Sequence, residues 1–144
     1  MRTGRSRATG LRASAPAFRP ERALPRTVLK YRRTNWGMTV GRRLGTSTET
    51  YPEWGADRRL LDVDDPALGD RLHLRVEVQH LLRLAPSGAI LFLIRTYLLS
   101  LTDLARVPEW RRRFAAVLAG LPEDLVDYKG LSHYRDAAVR WLRA

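Results

Sequence analysis

Between residues 74 and 81 polar and apolar side chains alternate: Arg75, Glu77 and Gln79 recur at every second position, with Val76, Val78 and His80 between them. A period of two is that of a strand, and it puts the polar trio on one face. Ala85-Pro86-Ser87-Gly88 follows as a turn, since proline presets φ and glycine tolerates positive φ. The return arm is nearly continuous in Ile, Leu and Phe until Arg95, Thr96 and Tyr97 interrupt it, as expected of a strand covered on both faces. Upstream, Trp36, Met38 and Val40 alternate with Gly37 and Thr39, which predicts a half-buried strand. The expected strands are therefore 34–40, 71–83 and 89–99, the last two forming one long hairpin.

Beyond the hairpin the period changes from 2 to about 3.6. Pro108 can occupy the first turn of a helix in which Trp110, Phe114, Val117 and Leu118 share the buried face, Arg111, Arg112 and Arg113 point outward and Gly120 ends the run. A short helix over 122–128 carries Glu123 and Asp124 in its first turn, where the helix dipole favours them. Ser132 is placed to cap a last helix with Tyr134, Ala138, Trp141 and Leu142 as its apolar stripe. The predicted class is α+β, an antiparallel sheet of about three strands with C-terminal helices on one face.

The hairpin register decides what its polar residues do. A two-residue loop on Pro86 and Ser87 pairs positions summing to 173, placing Glu77 opposite Thr96 and Gln79 opposite Ile94. A three-residue loop on Ala85 to Ser87 shifts the sum to 172, placing Glu77 opposite Arg95 and Arg75 opposite Tyr97. The second is the expectation, because an unpaired charge on a covered face costs several kcal/mol whereas opposed charges largely offset their desolvation. Two roles follow for this group. It is a structural ion pair in a sheet, or Arg75, Glu77, Gln79, Arg95 and Tyr97 line a pocket that handles a polar ligand or a proton.

The same residues carry a resemblance. Leu74-Arg75-Val76-Glu77-Val78-Gln79-His80-Leu81, Ser87-Gly88-Ala89 and Leu91-Phe92-Leu93-Ile94-Arg95-Thr96-Tyr97, together with Arg33-Thr34-Asn35-Trp36 and Tyr128-Lys129-Gly130-Leu131, occur in the order of the motifs of the heme-dependent oxidative N-demethylase alpha-subunit-like domain family, which is bacterial. The chain resembles the C-terminal half of that domain over residues 31–142, departing from its usual pattern at Val78, His80 and Ala85. The resemblance implies part of a PAS-like sheet that cups heme. It also implies oxidative demethylation of a secondary amine, with electrons from a flavin and ferredoxin-type reductase. Glu77, Arg95 and Tyr97 would be catalytic, and Arg75, Gln79, Asn35 and Trp36 would shape the pocket. Without the family's other half the sheet is expected to keep bare edges, favouring self-association or a completing chain.

Composition narrows the alternatives. The chain has 144 residues, 44% of them apolar, with eight prolines and ten glycines, which suits one small domain. No apolar run approaches the roughly 20 residues of a membrane span. A cytoplasmic location is expected. The absence of cysteine excludes disulfides, thiolate ligands and iron–sulfur clusters carried by this chain. The net charge of +11 is unevenly placed: residues 1–33 hold ten Lys/Arg against one Glu, a net +9, while residues 34–144 hold sixteen against fourteen, a net +2. The body thus lacks the basic face that tracks phosphates.

Residues 1–26 read as a disordered Arg-rich tail and 27–144 as the folded unit. The tail's composition is compatible with a transit peptide, with a weakly nucleic-acid-binding arm, or with an upstream extension that has no folded role.

Residues 41–70 read as a loop-rich excursion punctuated by glycine and proline. Gly41-Arg42-Arg43-Leu44-Gly45 lacks the strand-to-helix context of a phosphate loop, and Asp62, Asp64 and Asp65 lack the glycine and glutamate of a calcium loop, so these acids read as solvated turn residues. His73 and His133 fall at element ends and read as surface residues, while His80 lies mid-strand on the face opposite Glu77. None of the three is assigned as an iron ligand or other metal site.

Three functions stay in view: a heme monooxygenase module, a non-catalytic remnant or interaction module of the same fold, and a basic nucleic-acid-binding protein acting through its tail.

Overall fold

The computed structural model describes residues 29–144, and the tail lies outside the described residues. Three strands, β1 (Leu29–Val40), β2 (Leu72–Arg83) and β3 (Ile90–Ser100), form an antiparallel sheet in the order β1-β2-β3. The α+β class with C-terminal helices is as expected, and β1 begins earlier than position 34. Six helices complete the fold: α1 (Tyr51–Arg59), α2 (Leu68–Arg71), α3 (Leu101–Ala105), α4 (Pro108–Ala119), α5 (Glu123–Tyr128) and α6 (Arg135–Arg143).

One sheet face is packed and the other is mostly polar, because side chains alternate along each strand. Met38, Val40 and Leu72 from the packed face join Leu101, Leu104, Leu118, Tyr134, Ala138 and Leu142 in one core, with Trp36, Leu74, Leu99 and Phe114 against it. Among the described residues, the helices pack against the end of the sheet that carries Met38, Val40 and Leu72. Tyr134 is completely buried, and burial pushes its phenol up to about 12.

Several local expectations are corrected. The 41–70 segment contains α1 and α2. The first was hidden because its sole buried residue is Gly55, over which the Tyr51 ring packs, so it has no apolar stripe to read. Helix α3 starts at Ser100, whose hydroxyl accepts from the Asp103 N–H and donates to its carboxylate, a capping arrangement visible in the sequence as Ser100-x-x-Asp103. Ser132 does not cap α6. It hydrogen-bonds Asp127, and Tyr134 occupies the cap position.

On α4, Ala115 and Leu118 are buried and Phe114 is half-buried, whereas Trp110 and Val117 are exposed along an open cleft beside Leu74, Leu99 and Leu104. Arg111 does not simply point to solvent. Its Nε donates to Leu142 O at 2.7 Å and satisfies a carbonyl in the last turn of α6. His73 is buried, only 6% exposed, rather than a surface residue, because β2 starts at Leu72 and places it between β1 and β3.

The hairpin register is the 173 one. Leu84 N–H donates to Ala89 O at 2.8 Å and Gly88 N–H to Leu84 O at 2.7 Å, closing a four-residue loop with Gly88 at φ +71°. Glu77 therefore opposes Thr96, and Val78 opposes Arg95. A one-residue slip transfers a whole strand face to the other side. The expected opposition of Glu77 with Arg95 is thus absent, and Arg95 and Tyr97 lie on the face opposite Glu77.

Candidate functional site

On the polar face, β1 and β2 bring Asn35 opposite Glu77 and Arg33 opposite Gln79, and β3 adds Thr96 opposite Glu77. These residues form one chain of hydrogen bonds. Arg75 Nε donates to Glu77 Oε1 at 3.0 Å, Gln79 Nε2 to Glu77 Oε2 at 2.9 Å, and Asn35 Nδ2 to the same Oε2 at 3.5 Å. Arg33 Nε donates to Gln79 Oε1, so the Gln79 amide can point only one way without losing a bond. Gln79 is 4% exposed, with the long side chains of Arg33, Arg75 and Glu77 around it on this face.

Arg75 is used at all three nitrogens. Besides the bond to Glu77, its Nη1 donates to Leu44 O at 2.8 Å and its Nη2 to Thr96 Oγ1 at 3.3 Å. The loop after β1 is thereby tied to the middle of the sheet. Burial acts to raise the Glu77 carboxyl, but the hydrogen bonds from Arg75, Gln79 and Asn35, with the Arg75 charge, together hold it below the ordinary glutamate value. An ionised carboxylate with both oxygens occupied is a poor proton acceptor. Its evident capacity is to fix the Arg75 guanidinium and the Asn35 and Gln79 amides.

The opposite face carries the other predicted residues. Arg95 stacks over the Tyr97 ring at 5.5 Å, both exposed, on the half of the sheet that the helices leave open. Val78, His80, Leu82, Leu91 and Leu93 share that half-face. Trp36 lies on the same face nearer the helices, edge-on to Phe114 with ring centroids 6.0 Å apart.

Of the seven residues predicted for the site, Asn35, Arg75, Glu77 and Gln79 converge on one network. Arg95, Tyr97 and Trp36 belong to the other side. Sequence reasoning did not assign Arg33 or Thr96 to the site. Arg33 was legible as the period-two neighbour of Asn35, and Thr96 as the partner of Glu77 in the 173 register.

Lys129 was also missed. It lies in the loop after α5, and its Nζ donates to Trp36 O at 2.8 Å while standing 4.6 Å from the centre of the Trp36 ring. Gly130, at φ +64°, sits so close to the Arg58 guanidinium that a Cβ there would collide with it. Residues 93 positions apart are thus joined, and the segments 33–36 and 128–131 meet at one end of the sheet.

Among the described residues no group of three or more metal-ligating side chains occurs, and no helix is long and apolar enough to cross a membrane.

A small antiparallel sheet, packed by helices at one end, with a saturated polar network on one face and an open apolar half-face on the other, defines an α+β domain. Residues 25–139 match the family described as "Haem-dependent oxidative N-demethylase, alpha subunit-like", and the chain belongs to that family.

Proposed function

We propose that this chain is the sheet wall of an oxidoreductase site that oxidatively demethylates a secondary amine with heme. The observation that carries the reading is the convergence on this sheet of the segments that hold the family resemblance: Lys129 holds Trp36, the neighbouring Asn35 joins Glu77, and Arg95 and Tyr97 stand on the open half-face. In this reading that half-face would lie against one side of a porphyrin. Val78, Leu82, Leu91 and Leu93 would meet the macrocycle, and Arg95 at its margin would meet a carboxylate.

Heme, when bound, supplies oxygen activation and one-electron chemistry, with electrons from a flavin and ferredoxin-type reductase. The chain's own residues bind and orient. Arg95 and Tyr97 are the pocket residues in this reading. Arg75, Glu77, Gln79 and Asn35 are positioning residues, which hold β1, β2, β3 and the Leu44 loop in fixed relation from behind. No side chain is assigned as the iron ligand.

Titration of the purified protein with hemin tests the proposal. A sharp Soret band displaced from that of free hemin, saturating at one equivalent and weakened by Arg95→Ala, is the expected result. Unshifted, unsaturating absorbance would sink it.

A second reading has its own observation. Glu77 and Arg75 have all their charged atoms engaged internally, and the stretch of β3 from Ile90 to Ile94 is exposed among the described residues. Both features suit a non-catalytic interaction module of this family, and that is the conclusion if hemin does not bind.

A further inference from the structure

Helix α4 borders two hollows. Its Trp110, Phe114 and Val117 line the cleft beside the sheet, while Arg111 and Arg112 line a separate cavity of about 400 Å³ against the last turn of α6. Ala105, Ala115 and Ala116 leave that volume open, and α6 contributes Arg143. A small-molecule site commonly occupies about 300–1,000 Å³.

The charges round this cavity differ from those on the neighbouring surface. Residues 101–144 hold seven arginines. Four of them have carboxylate partners: Arg106 with Asp103, Arg113 with Glu109, Arg135 with Glu123 and Asp136, and Arg140 with Asp64. The three without an ion pair among the described residues are Arg111, Arg112 and Arg143, and these three line the cavity. No Asp or Glu lines it, and Ala144, which also borders it, is ion-paired to none of the three.

Arg111 is half-buried and already anchored. Its Nε is spent on Leu142 O, which leaves Nη1 and Nη2 without an acceptor among the described residues. A guanidinium fixed at one nitrogen offers the other two as a fork suited to paired oxygens. Three guanidiniums without counter-charge round one concavity also concentrate a positive potential there.

We propose that this cavity binds a small molecule through a phosphate or diphosphate group. The inference rests neither on heme nor on the sheet. A carboxylate brings two oxygens and one charge, whereas a terminal phosphate brings three acceptor oxygens and close to two charges, the better match to three guanidiniums. The alanine-lined walls leave room for the organic part of the ligand.

Calorimetric titration of the full chain with inorganic pyrophosphate, at about 0.15 M salt to screen diffuse charge, tests the proposal. Saturable one-to-one binding is expected, with none by acetate at the same ionic strength. Arg112→Gln and Arg143→Gln, both exposed positions, should each weaken it about tenfold, the loss of a hydrogen bond between charged groups. Arg113→Gln removes the same charge from the same helix outside this cavity and should change binding less than about twofold. In the wild type, pyrophosphate should slow phenylglyoxal labelling of Arg112 and Arg143 but not of Arg113, a readout that stands even if a variant fails to fold. Absence of saturable binding, acetate binding as tightly, equal weakening by all three substitutions, or uniform protection of the arginines would each overturn the proposal.

Discussion

Glu77 and Arg75 are neighbours on one face, whereas Glu77 and Arg95 face opposite ways, and the two pairs should respond oppositely to paired substitution. Replacing Glu77 by Ala removes three hydrogen bonds and leaves the donors of Arg75 Nε, Gln79 and Asn35 without their acceptor. Loss of a partner from a fully buried pair costs about 3–5 kcal/mol. Here the side chains of Arg75 and Glu77 are 13% and 17% exposed, so water recovers part of the loss, and about 2–3 kcal/mol is expected. Arg75→Ala should cost a similar amount, about 2–3 kcal/mol, since it also releases Leu44 O and Thr96.

The Arg75→Ala, Glu77→Ala double variant should lose at least about 1 kcal/mol less than the sum of the singles, within the range for residues in one network. The Glu77→Ala, Arg95→Ala pair should add to within about 0.5 kcal/mol, because no shared partner couples the two. Urea unfolding at neutral pH, followed by circular dichroism, measures all six free energies. Strong coupling of Glu77 to Arg95, with simple additivity toward Arg75, would refute the reasoning and restore the other hairpin register.

Two further outcomes follow from the same network and its neighbour. The Glu77 carboxyl is held below its ordinary value of 4.5, so the folded state binds its proton less readily than the unfolded state. Its contribution is therefore complete above the unfolded value and lost as pH falls through the folded one. The stability gap between wild type and Glu77→Gln should close as pH falls below about 4.5 in a pH series of urea midpoints. A gap constant down to the acid transition would contradict this. Lys129→Met removes both contacts to Trp36 and should cost about 1–2 kcal/mol, with a changed near-ultraviolet dichroism signal from the Trp36–Phe114 pair. Unchanged stability and spectrum would mean that Lys129 does not hold β1.

What could be read from the chain alone was whatever left a period. The alternation at Arg75, Glu77 and Gln79 placed those residues together on one face, and the stripe of α6 around Tyr134, Ala138 and Leu142 marked a real core surface. Register was not readable in this way. Three- and four-residue loops can both be drawn over Ala85-Pro86-Ser87-Gly88, and the bond that fixes the register, from Leu84 N–H to Ala89 O, decides which face receives Arg95 and Tyr97. A burial argument pointed to Arg95 as the partner of Glu77 because it assumed that β3 was covered. With Ile90 to Ile94 open among the described residues, Arg95 has no desolvation to offset, while Arg75, two positions away on the same strand, serves Glu77 instead. Helix α1 left no period at all, and α3 showed only its cap, Ser100 with Asp103. The meeting of Lys129 with Trp36 spans 93 positions and depends on how the helices return to the sheet, which no local pattern contains.

The most direct test of the proposed role is the visible difference spectrum when a secondary amine is added to the hemin-loaded protein. The expected result is a saturable change at the Soret band that is strongly reduced by Tyr97→Ala and Arg95→Ala, which alter the open half-face. Lys129→Met, acting only through Trp36, should weaken the response less. No amine-dependent change in a preparation that does bind hemin, or a change indifferent to all three substitutions, would contradict the assignment of this sheet as the wall of an amine-oxidising heme site.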